Sequence, residues 1–351
     1  MNITPYLKLM IEKGASDLFL TPGTTVRMKL DGRLASVGKD ILTPETVREA
    51  ALGIMDETQA EHYLKNLELD FAISLGDEGR FRVNAFHQKN HPAMVLRYIR
   101  AQIPNLESLK VPAVLAELIM HKRGLMLMVG ATGSGKSTTL AAMLDHRNAT
   151  QGGHILTIED PVEFVHPHKK SIVNQREVGI DTMSYARALK SSLREAPDVI
   201  LIGEIRDRET MEAALELAGT GHLAISTLHA NNAYQALTRI INLFPEALHK
   251  QLFMDLSLYL RAILSQRLVP SQDGKRRAAV EVMINTPHIA EMILKGDIDS
   301  VKEALSHSTE QGMQSFDQAL YNLYKEGAVS MEDALNSADS RANLEARVHF
   351  G

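Results

Sequence analysis

Residues 130–138 read Gly-Ala-Thr-Gly-Ser-Gly-Lys-Ser-Thr, follow the apolar run 125–129 and open a helical pattern. No other feature constrains the chain as much. A glycine-rich turn between a buried strand and a helix lets consecutive backbone N–H groups curl around a phosphate. The helix start adds its positive end, Lys136 reaches β- and γ-phosphate oxygens, and Ser137 offers a hydroxyl to Mg²⁺. Gly130, Ala131, Thr132, Gly133, Ser134, Gly135, Lys136, Ser137 and Thr138 are therefore the expected nucleotide-binding residues, with ATP and Mg²⁺ as the ligands. A dinucleotide fingerprint fails here, because Gly133-Ser-Gly135 is followed by Lys-Ser-Thr and not by a third glycine. The chain reads as a P-loop NTPase.

Beyond the motif, short apolar runs at 125–129, 154–158, 199–202 and 223–227 alternate with helical stretches, the pattern of a mostly parallel sheet covered on both faces. With 351 residues there is length for about two domains. Residues 1–100 form the first, a small α+β unit. Thr4-Pro5 starts a short helix that Gly14 closes, 16–20 and 26–30 read as strands, and Asp31-Gly32 supplies a tight turn. Thr43-Pro44-Glu45 begins a helical region reaching about Leu67, and 71–75, 80–87 and 93–99 read as extended. Pro104 and Pro112 frame a polar linker at 101–111, after which 112–285 form the α/β core. Residues 286–338 read as helical, with Ser330-Met-Glu-Asp333 resembling a capping box, and 339–351 read as a loose tail.

Composition narrows the partners. Thirty-eight basic against 43 acidic residues leave a net charge of −5, Trp is absent, and the tight basic clusters are Lys169-Lys170 and Lys275-Arg276-Arg277. No direct nucleic-acid partner is expected. With no cysteine, a disulfide scaffold, thiolate-bound zinc, iron–sulfur and a Cys nucleophile are excluded, and a reducing compartment fits. The N-terminus lacks the basic start and apolar run of a signal peptide, and no apolar stretch nears the ~20 residues that cross a bilayer. A cytoplasmic protein, with at most peripheral membrane association, is expected.

Further along, Pro197-Asp-Val-Ile-Leu-Ile-Gly203-Glu204 delivers a carboxylate at the end of an apolar strand, the Walker-B position. Gly203 stands where most P-loop enzymes place Asp, so Glu204 is expected to act on Mg²⁺ partly through water, or on the attacking water. A capping carboxylate is the alternative. Glu159, Asp160 and Glu163 follow another core strand; Glu163 could swing toward the γ-phosphate as a general base, whereas Glu159 and Asp160 could equally be solvated loop. His222 and His229 bracket a strand. Seven residues apart, they point to opposite faces some ~20 Å distant, which argues against shared zinc and leaves one of them as a γ-phosphate sensor.

Taken in order, the P-loop, Thr157-Ile-Glu-Asp-Pro-Val-Glu-Phe-Val-His166, the segment from Leu193 to Asp207 and the segment from Gly221 to His229 resemble the secretion ATPase superfamily, and within it the type IV pilus retraction ATPases (PilT and PilU). Gly14-Ala-Ser-Asp-Leu18, Phe81-Arg-Val-Asn84 and Gly312-Met-Gln extend the likeness over nearly the whole chain. This resemblance implies a PAS-like N-terminal domain, a RecA-like core and a homohexamer. It implies Glu163 as catalytic base, Glu204 supporting Mg²⁺ and water, and His222 and His229 as the two histidines of the His box. It also implies Arg82 and Arg97 as arginine fingers, a role worth roughly 10³ to 10⁵ in rate. Where PilT-type motors carry Thr-Pro-Ala-Ile-Arg-Asn-Leu-Ile-Arg-Glu, this chain reads Thr286-Pro-His288-Ile-Ala290-Glu291-Met-Ile-Leu-Lys295, which favours the accessory PilU paralogue. The expected function is an ATP-driven motor for pilus retraction and twitching motility. It would sit at the inner face of the cytoplasmic membrane with a sister retraction ATPase and an inner-membrane platform protein. Alternatives are a weakly or non-hydrolysing, nucleotide-gated subunit stacked on the sister motor and, third, a DNA-pumping ATPase.

Overall fold

The computed structural model describes residues 1–30, 32–76, 78–99, 102–306 and 312–350. Two compact units emerge: residues 1–102 with the short segment 163–165, and residues 103–162 with 166–351. The first is an α+β unit on an antiparallel sheet, and the second is α/β on a mostly parallel sheet, as the apolar patterning leads one to expect.

In the first unit the strands are β1 (Asp17–Leu20), β2 (Val26–Leu30), β3 (Arg33–Val37), β4 (Glu68–Leu75), β5 (Gly79–Gln88) and β6 (His91–Ile99). They form one antiparallel sheet in the order β3-β2-β1-β6-β5-β4. Alternation puts Phe81, Val83 and Ala85 of β5 inside, where Leu18, Met94 and Leu96 meet Met10 of α1 (Thr4–Lys13) and Val47 of α2 (Pro44–Leu52). The helical region expected from Thr43 to Leu67 is two helices, α2 and α3 (Glu57–Asn66), because Asp56 and Gln59 build a reciprocal capping box that starts a new helix. The expected Asp31-Gly32 turn falls partly on residue 31, and the expected 100/101 boundary on residues 100 and 101; these lie outside the described residues.

The second unit holds β7 (Gly124–Val129), β8 (Gly153–Glu159), β9 (Ser171–Glu177), β10 (Val199–Ile202), β11 (Leu223–Leu228), β12 (Leu260–Pro270) and β13 (Arg276–Ile284). Their order is β13-β12-β7-β11-β10-β8-β9, parallel throughout except for the β12–β13 pair. All six residues of β7 and all four of β10 are buried, as a sheet covered on both faces demands. Its helices include α4 (Leu106–Leu109), α5 (Val114–Leu118), α6 (Lys136–Thr150), α7 (Tyr185–Ser192), α8 (Arg208–Gly219), α9 (Ala233–Asn242) and α10 (His249–Tyr259).

Two expectations about this unit need correction. The stretch 101–111 is not a bare linker: residues from Ile103 belong to the second unit, Asn105 caps α4, and Leu106 packs on the core. Nor are residues 339–350 a loose tail; residue 351 of that expected tail lies outside the described residues. After α11 (Pro287–Lys295), α12 (Ile298–Ser306), α13 (Phe316–Lys325) and α14 (Met331–Ser337), a last helix α15 (Arg341–Phe350) buries Leu344 completely in a cluster with Phe316, Leu320 and Val329. A single apolar anchor is hard to see in a polar sequence, yet one buried Leu side chain supplies about 2 kcal/mol of holding energy. No helix among the described residues is long and apolar enough to cross a membrane.

Candidate functional site

The carboxyl ends of β7, β11 and β10, three neighbours in the sheet, carry the P-loop, His229 and Glu204. Parallel strands send all their carboxyl ends to one edge, so residues far apart in sequence converge there.

Val129 leads into the loop, and α6 starts at Lys136 with Gly135 as N-cap at φ 86° and no side-chain cap. The first-turn N–H groups are thus available to an anion, aided by the helix dipole. Gly135 is required twice over: its φ is left-handed, and an added Cβ would lie 2.8 Å from Nε2 of Gln266. Lys136 folds back on its own loop, donating to the carbonyls of Gly130 (2.7 Å) and Ala131 (3.0 Å). Ser137 and Thr138 are half-buried in the first turn of α6, and Ala131, Thr132 and Gly133 are exposed. Beside the loop lies a cavity of about 270 Å³ lined by residues 130–134, Asn231, Gln266, Arg267, Leu268 and Arg276. Its rim is cationic, which suits a polyphosphate.

Glu204, largely buried, accepts from Nε of Arg206 at 2.8 Å and faces Nε2 of His229 at 3.3 Å. Gly203, just before it, shows why this chain lacks the usual Asp. A Cβ there would sit 2.7 Å from the Tyr185 hydroxyl and 3.2 Å from the Ile158 carbonyl. Thr227 fixes the turn by donating to the Gly203 carbonyl at 2.7 Å. The Tyr185 phenol is pushed above its ordinary range by burial first and then by the Asp160 carboxylate, with Glu159 and Glu204 adding to the effect and Arg206 opposing it. Glu159 accepts from Thr157 (2.6 Å) and Gln175 (3.3 Å), so it is a held carboxylate, while Asp160 is exposed.

His222 is not at this edge. It precedes β11, its Nδ1 is 3.2 Å from the Leu217 carbonyl, and its carbonyl accepts from Gly124 N at the start of β7. Six strand residues, about 20 Å, separate that end from the P-loop. Of the two histidines, His229 is the one that faces Glu204, and His222 lies at the opposite end of β11 from this chain's own phosphate loop. Glu163 is exposed and lies in the 163–165 segment that groups with the first unit.

Within the first unit, Arg82 and Arg97 are directly opposed on β5 and β6. Like charges so placed repel, and each is held by a carboxylate: Arg82 Nε donates to Asp70 at 2.9 Å and Arg97 Nε to the buried Asp17 at 2.8 Å. The Arg97 side chain is 69% exposed.

Four participants escaped the sequence reading: Tyr185, Gln266, Arg267 and Glu281. Gln266, buried, donates to the Ser134 carbonyl and accepts from Thr139 Oγ1, both at 2.8 Å, and so fixes the P-loop from β12. A signal existed, since Ser265-Gln266-Arg267 and Glu281 interrupt apolar runs within β12 and β13. Buried polar groups require partners, and that requirement marks them.

Proteins of known family and structure resemble this chain over nearly its whole length. Residues 1–336 match the model of the Type II/IV secretion system protein family. A type IV pilus ATPase, PilU, of Pseudomonas aeruginosa is 54% identical over 352 residues, spanning 100% of this chain and 92% of the relative. The type IV pilus retraction ATPase PilT of the same organism is 41% identical over 98% of this chain and 100% of its own length. A crystal structure of the pilus retraction motor PilT with bound ADP superposes at a TM-score of 0.92 with 41% identity, covering 98% of this chain and 99% of that one.

Proposed function

Because this chain belongs to the Type II/IV secretion system protein family, we propose that it is an ATP hydrolase powering the retraction of type IV pili. The observation that carries this reading is the shared edge where an uncapped helix start, Lys136 and the Glu204–His229 pair meet. Such an edge grips a triphosphate by backbone amides and places a carboxylate and an imidazole at neighbouring strand ends.

In this reading, water attacks the γ-phosphorus, the bond to the β–γ bridging oxygen breaks, and ADP and phosphate leave. Lys136 exchanges its loop carbonyls for β- and γ-oxygens and follows the charge as it moves to the leaving oxygen. Glu163 takes the proton of the attacking water as general base, and Glu204 orients that water, with His229 reporting the γ-phosphate. Arg82 and Arg97, presented on one face of the first unit, serve as fingers at a subunit boundary of a homohexamer. Release from Asp70 and Asp17 is then part of engaging them.

Mg²⁺ fits the residues present. Among the described residues no group of three or more His, Cys, Asp or Glu side chains could hold a metal by itself, which suits an ion that takes few protein ligands and otherwise uses phosphate and water. Ser137 and Glu204 would hold it, the latter partly through water. When bound it neutralises phosphate charge.

The test is Mg²⁺-dependent ATP turnover by the purified assembly, abolished in Lys136→Ala. Wild-type assembly with no such turnover, alone or with a sister ATPase, would overturn the reading. A second reading rests on α11, where Ala290 and Glu291 replace an Arg-Asn pair and Glu291 is tied to Lys295 at 2.6 Å. It makes the chain an accessory subunit to a sister retraction ATPase, acting on an inner-membrane platform protein from the cytoplasmic face. Pilus retraction that fails without the sister, yet needs Lys136 in this chain, supports that role.

A further inference from the structure

Three consecutive residues of β12 reach three different parts of the second unit. Ser265 donates through its hydroxyl to Oε1 of Glu281 at 2.9 Å. Gln266 holds the P-loop through Ser134 and Thr139. Arg267 donates to the carbonyl of Asn231 at 3.2 Å and to that of Ser337 at 2.7 Å, with its guanidinium 4.0 Å over the Phe316 ring.

The first and third of these contacts converge on one loop. Oε1 of Glu281 also accepts from the backbone N–H of Ala233 at 2.7 Å, at the first residue of α9, where Asn232 is the N-cap. Arg267 holds the carbonyl two residues earlier. The loop so gripped begins at His229, whose imidazole faces Glu204. Glu281 is buried on β13, and Ser265 is completely buried beside it. A carboxylate is costly to bury, and this one spends one of its two observed contacts on the end of a loop that carries a site residue and the other on Ser265 of β12, which holds the carboxylate in place. Its place at a helix start adds a favourable dipole interaction.

We infer that Glu281 and Arg267 are positioning residues that clamp the 229–233 loop and keep His229 on Glu204, while Gln266, between them in sequence, grips the phosphate loop. The strand β12 thus links the two halves of the site through contiguous hydrogen bonds. Because the inference rests on the hydrolytic reading for its catalytic consequence, its test has an arm that needs no turnover.

That arm is amide hydrogen exchange of the full-length protein over residues 229–235. Glu281→Leu, which leaves the Ala233 N–H without its acceptor, should speed exchange there at least about tenfold, and Glu281→Gln, whose amide oxygen still accepts from Ala233 and Ser265, should leave it near wild type. Should Glu281→Leu not yield folded protein, Ser265→Ala is measured instead, and faster exchange in the same segment is expected. Unchanged exchange in the measured variant overturns the clamp. In turnover assays, Glu281→Leu should lower kcat about tenfold or more with KM within about threefold, and Glu281→Gln should restore kcat. In a His229→Ala background, Glu281→Leu should cost less than about twofold. A full additional loss there means Glu281 does not act through His229 and overturns the inference. If wild type hydrolyses no ATP, the hydrolytic reading falls, and the exchange result still decides the clamp.

Discussion

The two sheets of this protein display their chemistry in different places. In the six-stranded antiparallel sheet one face is exposed, so β5 and β6 present Arg82 and Arg97 side by side while Phe81, Val83 and Leu96 point inward. In the seven-stranded sheet both faces are covered, β7 and β10 are apolar throughout, and the polar groups that matter sit at strand ends or as isolated residues with built-in partners. An antiparallel layer can write function on a face; a doubly covered parallel layer has only its carboxyl edge. The difference predicts how each region answers to substitution. Side chains on the face are replaceable without harm to the fold, whereas the glycines and buried polar groups near the edge hold backbone geometry that nothing else supplies.

The largest expected effect tests the edge. Lys136→Ala should reduce ATP turnover about 10³-fold or more while moving the thermal midpoint little, because the side chain is half-buried and bonds loop carbonyls that belong to its own turn. A second effect sharpens what burial does there. Desolvation raises the Glu281 carboxyl to about 7, with Asp339 adding to the rise while Ala233, Ser265 and Arg267 oppose it. The native state therefore holds a proton that the unfolded chain, titrating near 4.5, gives up; stability from this group is lost as pH rises from 4.5 through 7. Between pH 4.5 and pH 8, denaturant titrations should show Glu281→Gln gaining about 3 kcal/mol relative to wild type. A difference that stays flat across this range would refute the burial argument.

Next in size is a change that looks like a repair. Gly203→Asp restores the residue usual at that place, yet its Cβ meets the Tyr185 hydroxyl and the Ile158 carbonyl. A loss of about 2 kcal/mol in stability is expected, with turnover falling as well; a neutral result would mean that Tyr185 yields. The smallest effect belongs to the exposed face. Arg97→Ala should cost only about 1 kcal/mol in thermal unfolding, since its side chain is mostly in water, and, if it serves as the proposed finger at a subunit boundary, should show itself in turnover instead. Mixing it with Lys136→Ala subunits should restore activity if the arginine crosses a boundary. A stability loss far above this would mean that the face arginines hold the fold.

Much of this was legible beforehand. The P-loop announces itself because backbone chemistry dictates glycines at fixed spacing, and the four core strands of the α/β unit show as apolar runs because both their faces are buried. Glu204 was legible as a strand-end carboxylate. Other residues were not. Tyr185 opens α7, eighteen residues before Gly203 and outside any motif, and only the adjacency of β8 and β10 brings it over that glycine. His222 and His229 look equivalent in sequence, and strand direction alone separates them. The tail 339–351 reads as polar, and the buried Leu344 ties α15 to the core.

By itself, then, the sequence determined the local matters: a phosphate-gripping turn, the strands and helices around it, the glycine at 203 and the exclusion of thiol chemistry. Those follow from backbone sterics, periodicity and the presence or absence of reactive groups, which are properties of neighbours along the chain. Only the tertiary structure decided that Gln266 braces the P-loop, that Glu281 and Arg267 hold the His229 loop, and that His229 rather than His222 shares the edge with Glu204. Those are contacts between segments tens of residues apart, fixed by sheet order and burial, and no local rule along the chain encodes them.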